Sequence, residues 1–179
     1  MQYAPFEPEG ERSPSHSRRR PDGVPSRVME RALFLDFGGT LVLARDGRTV
    51  VDGDGNPLLM PHVPEVLARM RPRFDTCFIV SNQARIGRGE IAEAEVRRRF
   101  AWLNERLGRP FTDWRLCPHQ EEDACFCRKP KPGMFLDLAA GYGIDLAGST
   151  HVGDAEKDRV AAAAAGVGTF VPAREFFGW

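Results

Sequence analysis

Three thiols and one imidazole fall within eleven residues of this sequence: Cys117-Pro118-His119, five intervening residues, then Cys125-Phe126-Cys127. Deprotonated sulfur and neutral imidazole at that spacing can close a tetrahedral site around zinc. With all four positions supplied by protein, such an ion would be structural. The intervening Gln120-Glu121-Glu122-Asp123-Ala124 carries no apolar period, so a metal would supply the order that packing does not.

Carboxylates form the second constellation. Asp36-Phe37-Gly38-Gly39-Thr40-Leu41 follows the apolar run Ala32-Leu33-Phe34-Leu35. A carboxylate leaving a buried strand into a glycine-rich turn sits where open α/β sheets bind ligands, and glycine lets an oxyanion approach the backbone. Gly153-Asp154-Ala155-Glu156-Lys157-Asp158 repeats the pattern after Thr150-His151-Val152. Together the two stretches can hold magnesium, a hard cation that favours oxygen ligands. Ser81-Asn82-Gln83 ends a third apolar run, and Arg128-Lys129-Pro130-Lys131-Pro132 sets cations among prolines beside the cysteine loop. Strand ends thus contribute a carboxylate, a hydroxyl, a lysine and a second carboxylate.

Elements that alternate between strand and helix must position these groups. The pattern predicts buried strands at 32–35 and 76–80, a short strand near 113–116, and strands at 150–152 and 168–171. Helices are predicted from Pro64 through Met70, over 90–107, near 133–140 and over 156–165. In the second of these, Val96, Phe100, Leu103 and Leu107 share one face, while Glu93–Arg97 and Glu95–Arg99 pair on a face read as solvated. Asp46-Gly47 and Asp52-Gly53-Asp54-Gly55-Asn56 are turn signals with a short hairpin expected between them. The second cluster begins like a calcium loop but has Pro57 and Val63 where glycine and a bidentate Glu belong. Gly141-Tyr142-Gly143 follows a helix and lacks the third glycine of a dinucleotide fingerprint. Cys77 and His151, inside strands, read as core residues. The expected architecture is α/β, a doubly wound, mostly parallel Rossmann-like sheet with helices on both faces, a minimal cap and a zinc-binding loop. Residues 30–179 would form this domain, and 1–29, rich in Pro, Ser, Arg and Glu, a disordered tail.

Composition narrows the function. The chain has 179 residues, with 25 basic and 25 acidic side chains and a formal net charge of +0. Overall charge gives no reason to expect nucleic acid or a membrane surface as partner. No apolar run of about 18 residues is long enough for a spanning helix, and the N-terminus lacks the apolar core of a secretory signal. A cytoplasmic protein acting as a monomer on a small molecule is the expectation.

In order and spacing, these stretches resemble the haloacid dehalogenase (HAD) superfamily of phosphohydrolases over about residues 31–172. The run Cys117 to Met134, with Ser81-Asn82-Gln83 upstream, is similar to its zinc-containing branch, which includes histidinol-phosphate phosphatase and D-glycero-D-manno-heptose 1,7-bisphosphate 7-phosphatase. The resemblance implies a magnesium-dependent phosphatase of a small phosphorylated metabolite, with a sugar phosphate such as a heptose bisphosphate preferred over histidinol phosphate. It implies Asp36 as the nucleophile that becomes an aspartyl-phosphate, and Ser81 and Lys129 as holders of the transferring oxygens. Asn82, Gln83 and Arg128 would contact substrate. Magnesium would sit on Asp36, Asp154 and the Gly38 carbonyl, with Asp158 supporting that loop; zinc would sit on Cys117, His119, Cys125 and Cys127. One departure stands out. The family's first motif is D-x-D-x-T, whose second Asp protonates the leaving group, and here that position is Gly38. Asp46, Asp52, Asp54 and His62 are the nearby substitutes. A silent phosphate-binding homologue remains the alternative from another class; a nucleic-acid end phosphatase is disfavoured by the neutral charge.

Overall fold

Four consecutive apolar side chains make the strand on which the fold is built. β1, Ala32–Leu35, is buried at every residue, which a strand tolerates only when both sheet faces are covered. Its side chains alternate between two cores. Leu33 and Leu35 join one cluster, and Ala32 and Phe34 the other. The computed structural model describes residues 29–179, and the predicted 1–29 tail lies, but for Met29, outside the described residues.

β4 (Thr76–Asn82) pairs parallel to β1 on one side and β6 (Thr150–Gly153) on the other. β5 (Asp113–Cys117) and β7 (Thr169–Pro172) extend the sheet outward, giving the order β5-β4-β1-β6-β7, all parallel. Chain order therefore reverses at β1, and residues just beyond its C-terminal end lie at the topological switch point where such sheets bind ligands. One face is covered by α1 (Val63–Met70), α3 (Glu93–Arg106) and α6 (Ala173–Phe177). The other carries α4 (Gly133–Tyr142) and α5 (Glu156–Ala165). Phe34 stacks on Phe78 at 5.5 Å and meets Phe135 edge-on at 5.1 Å, tying β1 and β4 to α4.

Several boundaries differ from the sequence reading. The hairpin, β2 (Ala44–Arg45) and β3 (Arg48–Thr49), turns on Asp46-Gly47 itself rather than lying between the two turn signals. Asp46 and Gly47 both have positive φ, which suits the tight two-residue turn. The second cluster closes its own loop, with the Asp52 carboxylate accepting from the amides of Asp54 and Asn56. The helix expected from residue 90 starts at Glu93, because a separate turn, α2 (Ala84–Gly87), precedes it and the Glu90 amide closes onto Arg85 O. The helix near 133–140 runs on through Gly141 to Tyr142 and stops at left-handed Gly143. β7 ends at Pro172, and the α6 turn beyond it was outside the periodicity argument.

The β2–β3 insertion is small, but it is fastened. Arg98 on α3 donates to Gly55 O at 2.8 Å and to Asn56 Oδ1 at 3.1 Å, and Arg48 lies 3.7 Å from Glu90. These contacts fix one wall of a cleft above the C-terminal edge of the sheet. No helix among the described residues is long and apolar enough to cross a membrane.

Candidate active site

The side chain at the centre is a lysine. Lys129 is completely buried, and its Nζ lies 2.6 Å from Asp36 Oδ1, 2.6 Å from Asp158 Oδ1 and 2.8 Å from Val80 O. An ammonium has three donors; two are hydrogen-bonded, to Asp36 Oδ1 and Val80 O, while Asp158 Oδ1 is an ion-pair contact without a hydrogen bond. Burial alone would depress its pKa, but Asp36 and Asp158 outweigh that and hold it above the ordinary lysine value. Its main chain is held as tightly. Asn82 Nδ2 donates to Lys129 O at 2.8 Å, and Lys129 N donates to Asn82 Oδ1 at 3.0 Å.

Around it the strand ends converge as the sequence predicts. Asp36 leaves β1 with its amide bonded to Val152 O at 2.9 Å. Asp36, Asp154 and Asp158 each bring a carboxylate oxygen within 4.8 Å of the others. Glycine makes this possible. A Cβ on Gly39, where φ is +85°, would collide with the Asp154 carboxylate, and one on Gly153 would collide with Asp158. Gly39 therefore admits a protein carboxylate, where the sequence suggested a substrate oxyanion. Burial pushes the Asp36 carboxyl up; Lys129 opposes this, and Asp158 and Asp154 add to it, so the net direction is upward. Burial, then Asp158, raise Asp154 as well. Three carboxylates against one lysine form an anionic floor whose oxygen donors fit a divalent cation. Asp158 is the member least free for it. Fully buried, it pairs with Lys129 and accepts from the Ala155 amide at 3.1 Å.

His151 is buried in the core against Phe135 and Phe170. Its Nδ1 donates to Phe34 O at 3.2 Å, and Nε2 stands 3.8 Å from Asp158 without a hydrogen bond. Burial lowers its pKa and keeps the ring neutral.

The cleft above this floor encloses about 110 Å³. Asp36, Gly38, Ser81, Asn82 and Gln83 line it, and Gln83 Nε2 donates to Ser81 Oγ at 2.9 Å, which leaves the hydroxyl hydrogen free. Arg128, expected beside the substrate, instead donates to His119 O at 3.2 Å and braces the cysteine loop. None of Asp46, Asp52, Asp54 and His62 lines the cleft. Asp46 is an exposed turn residue, and exposed His62 approaches Phe177 O at 3.2 Å. The sequence reading missed Arg85, Arg99 and Lys157, which do line it. Arg99 was read as part of a solvated face, yet only 14% of its side chain is exposed. Its i,i+4 partner Glu95 was visible in the sequence; the wall it joins, made by β2–β3, was not.

Beside the cleft, the four predicted metal ligands meet. Cys117 Sγ lies 3.2 Å from Cys127 Sγ and 3.6 Å from Cys125 Sγ, and His119 Nδ1 is 3.3 Å from Cys127 and 3.6 Å from Cys117. Metal–sulfur bonds of about 2.3 Å give a tetrahedron whose edges are roughly 3.5–3.8 Å, so the cluster is close to a closed metal site. Hydrogen bonding from Cys117 pulls the Cys127 thiol down to about 5, toward the thiolate a metal needs.

Comparison with known proteins follows the same outline. The family described as polynucleotide kinase 3 phosphatase matches residues 31–168. The chain is 40% identical over 153 residues to D-glycero-beta-D-manno-heptose-1,7-bisphosphate 7-phosphatase of Vibrio cholerae, covering 80% of this chain and 81% of that protein. Against the Bordetella bronchiseptica enzyme of that name the identity is 34% over 143 residues, covering 76% of each. The crystal structure of D,D-heptose 1,7-bisphosphate phosphatase from B. bronchiseptica, complexed with magnesium and phosphate, superimposes with a TM-score of 0.68 at 31% identity. It covers 79% of this chain and 78% of that one. A HAD-like phosphatase from Mesorhizobium loti gives 0.65 at 27% identity, covering 77% and 69%.

Removing the lysine tests the geometry directly. Lys129→Met should leave Asp36 and Asp158 as unpaired buried carboxyls and cost about 3–5 kcal/mol. Urea denaturation that moved by less than about 1 kcal/mol would show that the ion pairs are not formed in solution.

Proposed function

We infer, for a chain that belongs to the polynucleotide kinase 3 phosphatase family and is a HAD-type phosphatase, that its substrate is a small sugar bisphosphate, a heptose bisphosphate being the favoured example. The observation that carries this reading is Asp36 itself. It stands at the switch point with Oδ1 fixed by Lys129 and no described partner on Oδ2, in a cleft that also presents a free hydroxyl from Ser81. Names of the relatives above supply the substrate class.

In this reading Asp36 Oδ2 attacks phosphorus as the bond to the sugar oxygen breaks. The transferred group becomes an aspartyl-phosphate, and water then releases inorganic phosphate and restores the carboxylate. Ser81 donates to a transferring oxygen. Lys129, hydrogen-bonded to Asp36 and Val80 O and ion-paired with Asp158, orients Asp36 and offsets charge. Asn82 acts through the Lys129 main chain, and Gln83 through Ser81. Magnesium, held by Asp36, Asp154 and the Gly38 carbonyl, would supply positive charge against the developing charge on the phosphoryl oxygens. Zinc on the Cys117–His119–Cys125–Cys127 cluster would hold the loop that delivers Lys129.

Gly38 sets the chemistry apart. Outside the Asp36–Asp154–Asp158 floor, no carboxylic acid or histidine lines the cleft; with those carboxylates taken up by the cation and Lys129, the leaving oxygen departs as the anion or takes its proton from water. Absence of a positioned acid costs roughly 10²–10⁴-fold for a poor leaving group. Gly38 has no left-handed φ, and a Cβ there would touch only Ala44 Cβ at 3.4 Å. The turn accepts a side chain.

Two outcomes are expected. With magnesium fixed, alkyl phosphates should be slow and activated aryl or acyl phosphates much faster. Gly38→Asp should raise the alkyl rate by at least about tenfold more than the aryl rate, and Asp36→Asn should abolish both. Turnover retained in Asp36→Asn would place the chemistry elsewhere. No turnover of any phosphate, with phosphate still bound, would favour a silent binding protein. Protein purified under reducing conditions should also carry about one zinc per chain. Cys125→Ser or Cys127→Ser should release it and lower the melting temperature; metal analysis without zinc, with unchanged melting, would remove zinc from the account.

A further inference from the structure

The floor of the cleft is anionic, but its wall is not. Arg85 on α2, Arg99 on α3 and Lys157 in the first turn of α5 line the same cleft as Asp36. Their acidic neighbours are oversubscribed. Glu90 meets Arg85 at 2.9 Å, Arg88 at 2.5 Å and Arg48 at 3.7 Å, while Glu95 meets Arg98 at 2.8 Å and Arg99 at 2.9 Å. Five guanidinium groups thus share two carboxylates, and Lys157 has no ion-pair partner among the described residues.

We propose that this wall is a binding site for a second phosphate of the substrate, held by Arg85, Arg99 and Lys157 while the first phosphate reacts at Asp36. The proposal rests on the phosphatase reading above and adds the residues that select a bisphosphate over a monophosphate. A half-covered guanidinium that shares its carboxylate regains interaction energy from a phosphate, which it can grip through two parallel hydrogen bonds. The reacting phosphoryl group does not need this wall, because Ser81, Lys129 and the carboxylate floor already surround its position. Surplus positive charge on the wall of the same cleft suits a second anionic group on the same molecule. The cleft is built rather than incidental, since Arg48–Glu90 and the bonds from Arg98 to Gly55 and Asn56 anchor its outer wall. Its lining contains no aromatic side chain, whereas single-stranded nucleic acid is held largely by stacking on aromatic rings. A small bisphosphate fits that lining better than an oligonucleotide end.

The test is equilibrium binding to the Asp36→Asn chain, which separates recognition from turnover. Fructose 1,6-bisphosphate and fructose 6-phosphate serve as probes by calorimetry, with turnover of both by the unaltered chain measured in parallel. The bisphosphate should bind at least about tenfold more tightly, the scale of one or two charge-assisted hydrogen bonds. Adding Arg99→Gln or Lys157→Gln should cut that advantage several-fold, and Arg99→Lys should retain part of it. Arg99→Gln leaves Glu95 paired with Arg98, so the fold is not at risk. Absence of the advantage, or an advantage unchanged by both substitutions, would overturn the proposal even if the unaltered chain hydrolyses both sugars. An advantage that follows the substitutions while no phosphate is hydrolysed, activated aryl phosphates included, would leave the second-phosphate site standing and sink the phosphatase reading instead. Tighter binding of a 3′-phosphorylated oligonucleotide than of the bisphosphate would overturn the substrate class.

Discussion

A single buried ammonium holds the site together. Moving Lys129 out of water costs several kcal/mol, and only the two carboxylates and one carbonyl around it offset that. Each of those partners belongs to a different part of the sheet edge: Asp36 to the end of β1, Val80 to β4, Asp158 to the start of α5. Their relative positions are therefore set by one charge. An apolar residue at 129 would pack but would leave two acids facing each other. The buried pair is weak evidence for stability and strong evidence for registration, since it fixes which oxygen of Asp36 is bound and which is open.

That arrangement divides the cleft by sign. Its floor carries more carboxylate than lysine, so a phosphate dianion approaching alone would be repelled. A divalent cation removes the repulsion, and burial, which raises both Asp36 and Asp154, makes the floor more avid for one. The wall carries the opposite excess. Floor and wall share one cleft of about 110 Å³, and Lys157 of the wall already acts on Asp154 of the floor, lowering its pKa against the effect of burial. Net charge of +0 for the whole chain conceals this, which is why composition gave no reason to expect nucleic acid or a membrane surface and no sign of a local cationic wall.

Much of the architecture was legible because it depends on short-range pattern. Ala32–Leu35 is a run of four apolar residues, and nothing but a strand covered on both faces uses one so economically. The cysteine cluster was legible because ligand chemistry fixes donor type and spacing together. Asp36, Ser81 and Asp154 could be placed at strand ends, since a parallel sheet aligns all its C-terminal ends on one edge; Lys129, read the same way, instead follows the cysteine loop, well beyond the end of β5 at Cys117. What escaped was long-range. Arg128 read as a substrate contact by position, but it turns back to His119; Asn82, which does line the cleft, also spans 47 residues to clamp Lys129, a contact that position alone did not show. Arg99 read as solvated because its local partner, Glu95, satisfied it; the cover comes from elsewhere in the chain. Hairpin placement failed for a subtler reason, as two turn signals of equal strength each fitted the same short segment.

The cysteine cluster and the lysine are linked more closely than their separate chemistry suggests. Cys117 is the last residue of β5 and pairs in register with Asn82, the last residue of β4. Asn82 in turn grips the Lys129 main chain, two residues beyond Cys127. A metal on the cluster would thus join the start and end of the 117–127 loop at the point where the lysine is delivered. Without it the loop has few apolar contacts of its own; Phe126 is 61% exposed. The five-stranded sheet does not need that loop for its core, which is built from β1, β4 and the flanking helices. Loosening the cluster should therefore act first on the position of Lys129, and through it on Asp36, while the sheet persists. A structural metal in this place would act on Asp36 only through Lys129, the side chain ion-paired to it, and with four protein ligands it would offer the substrate no ligand position.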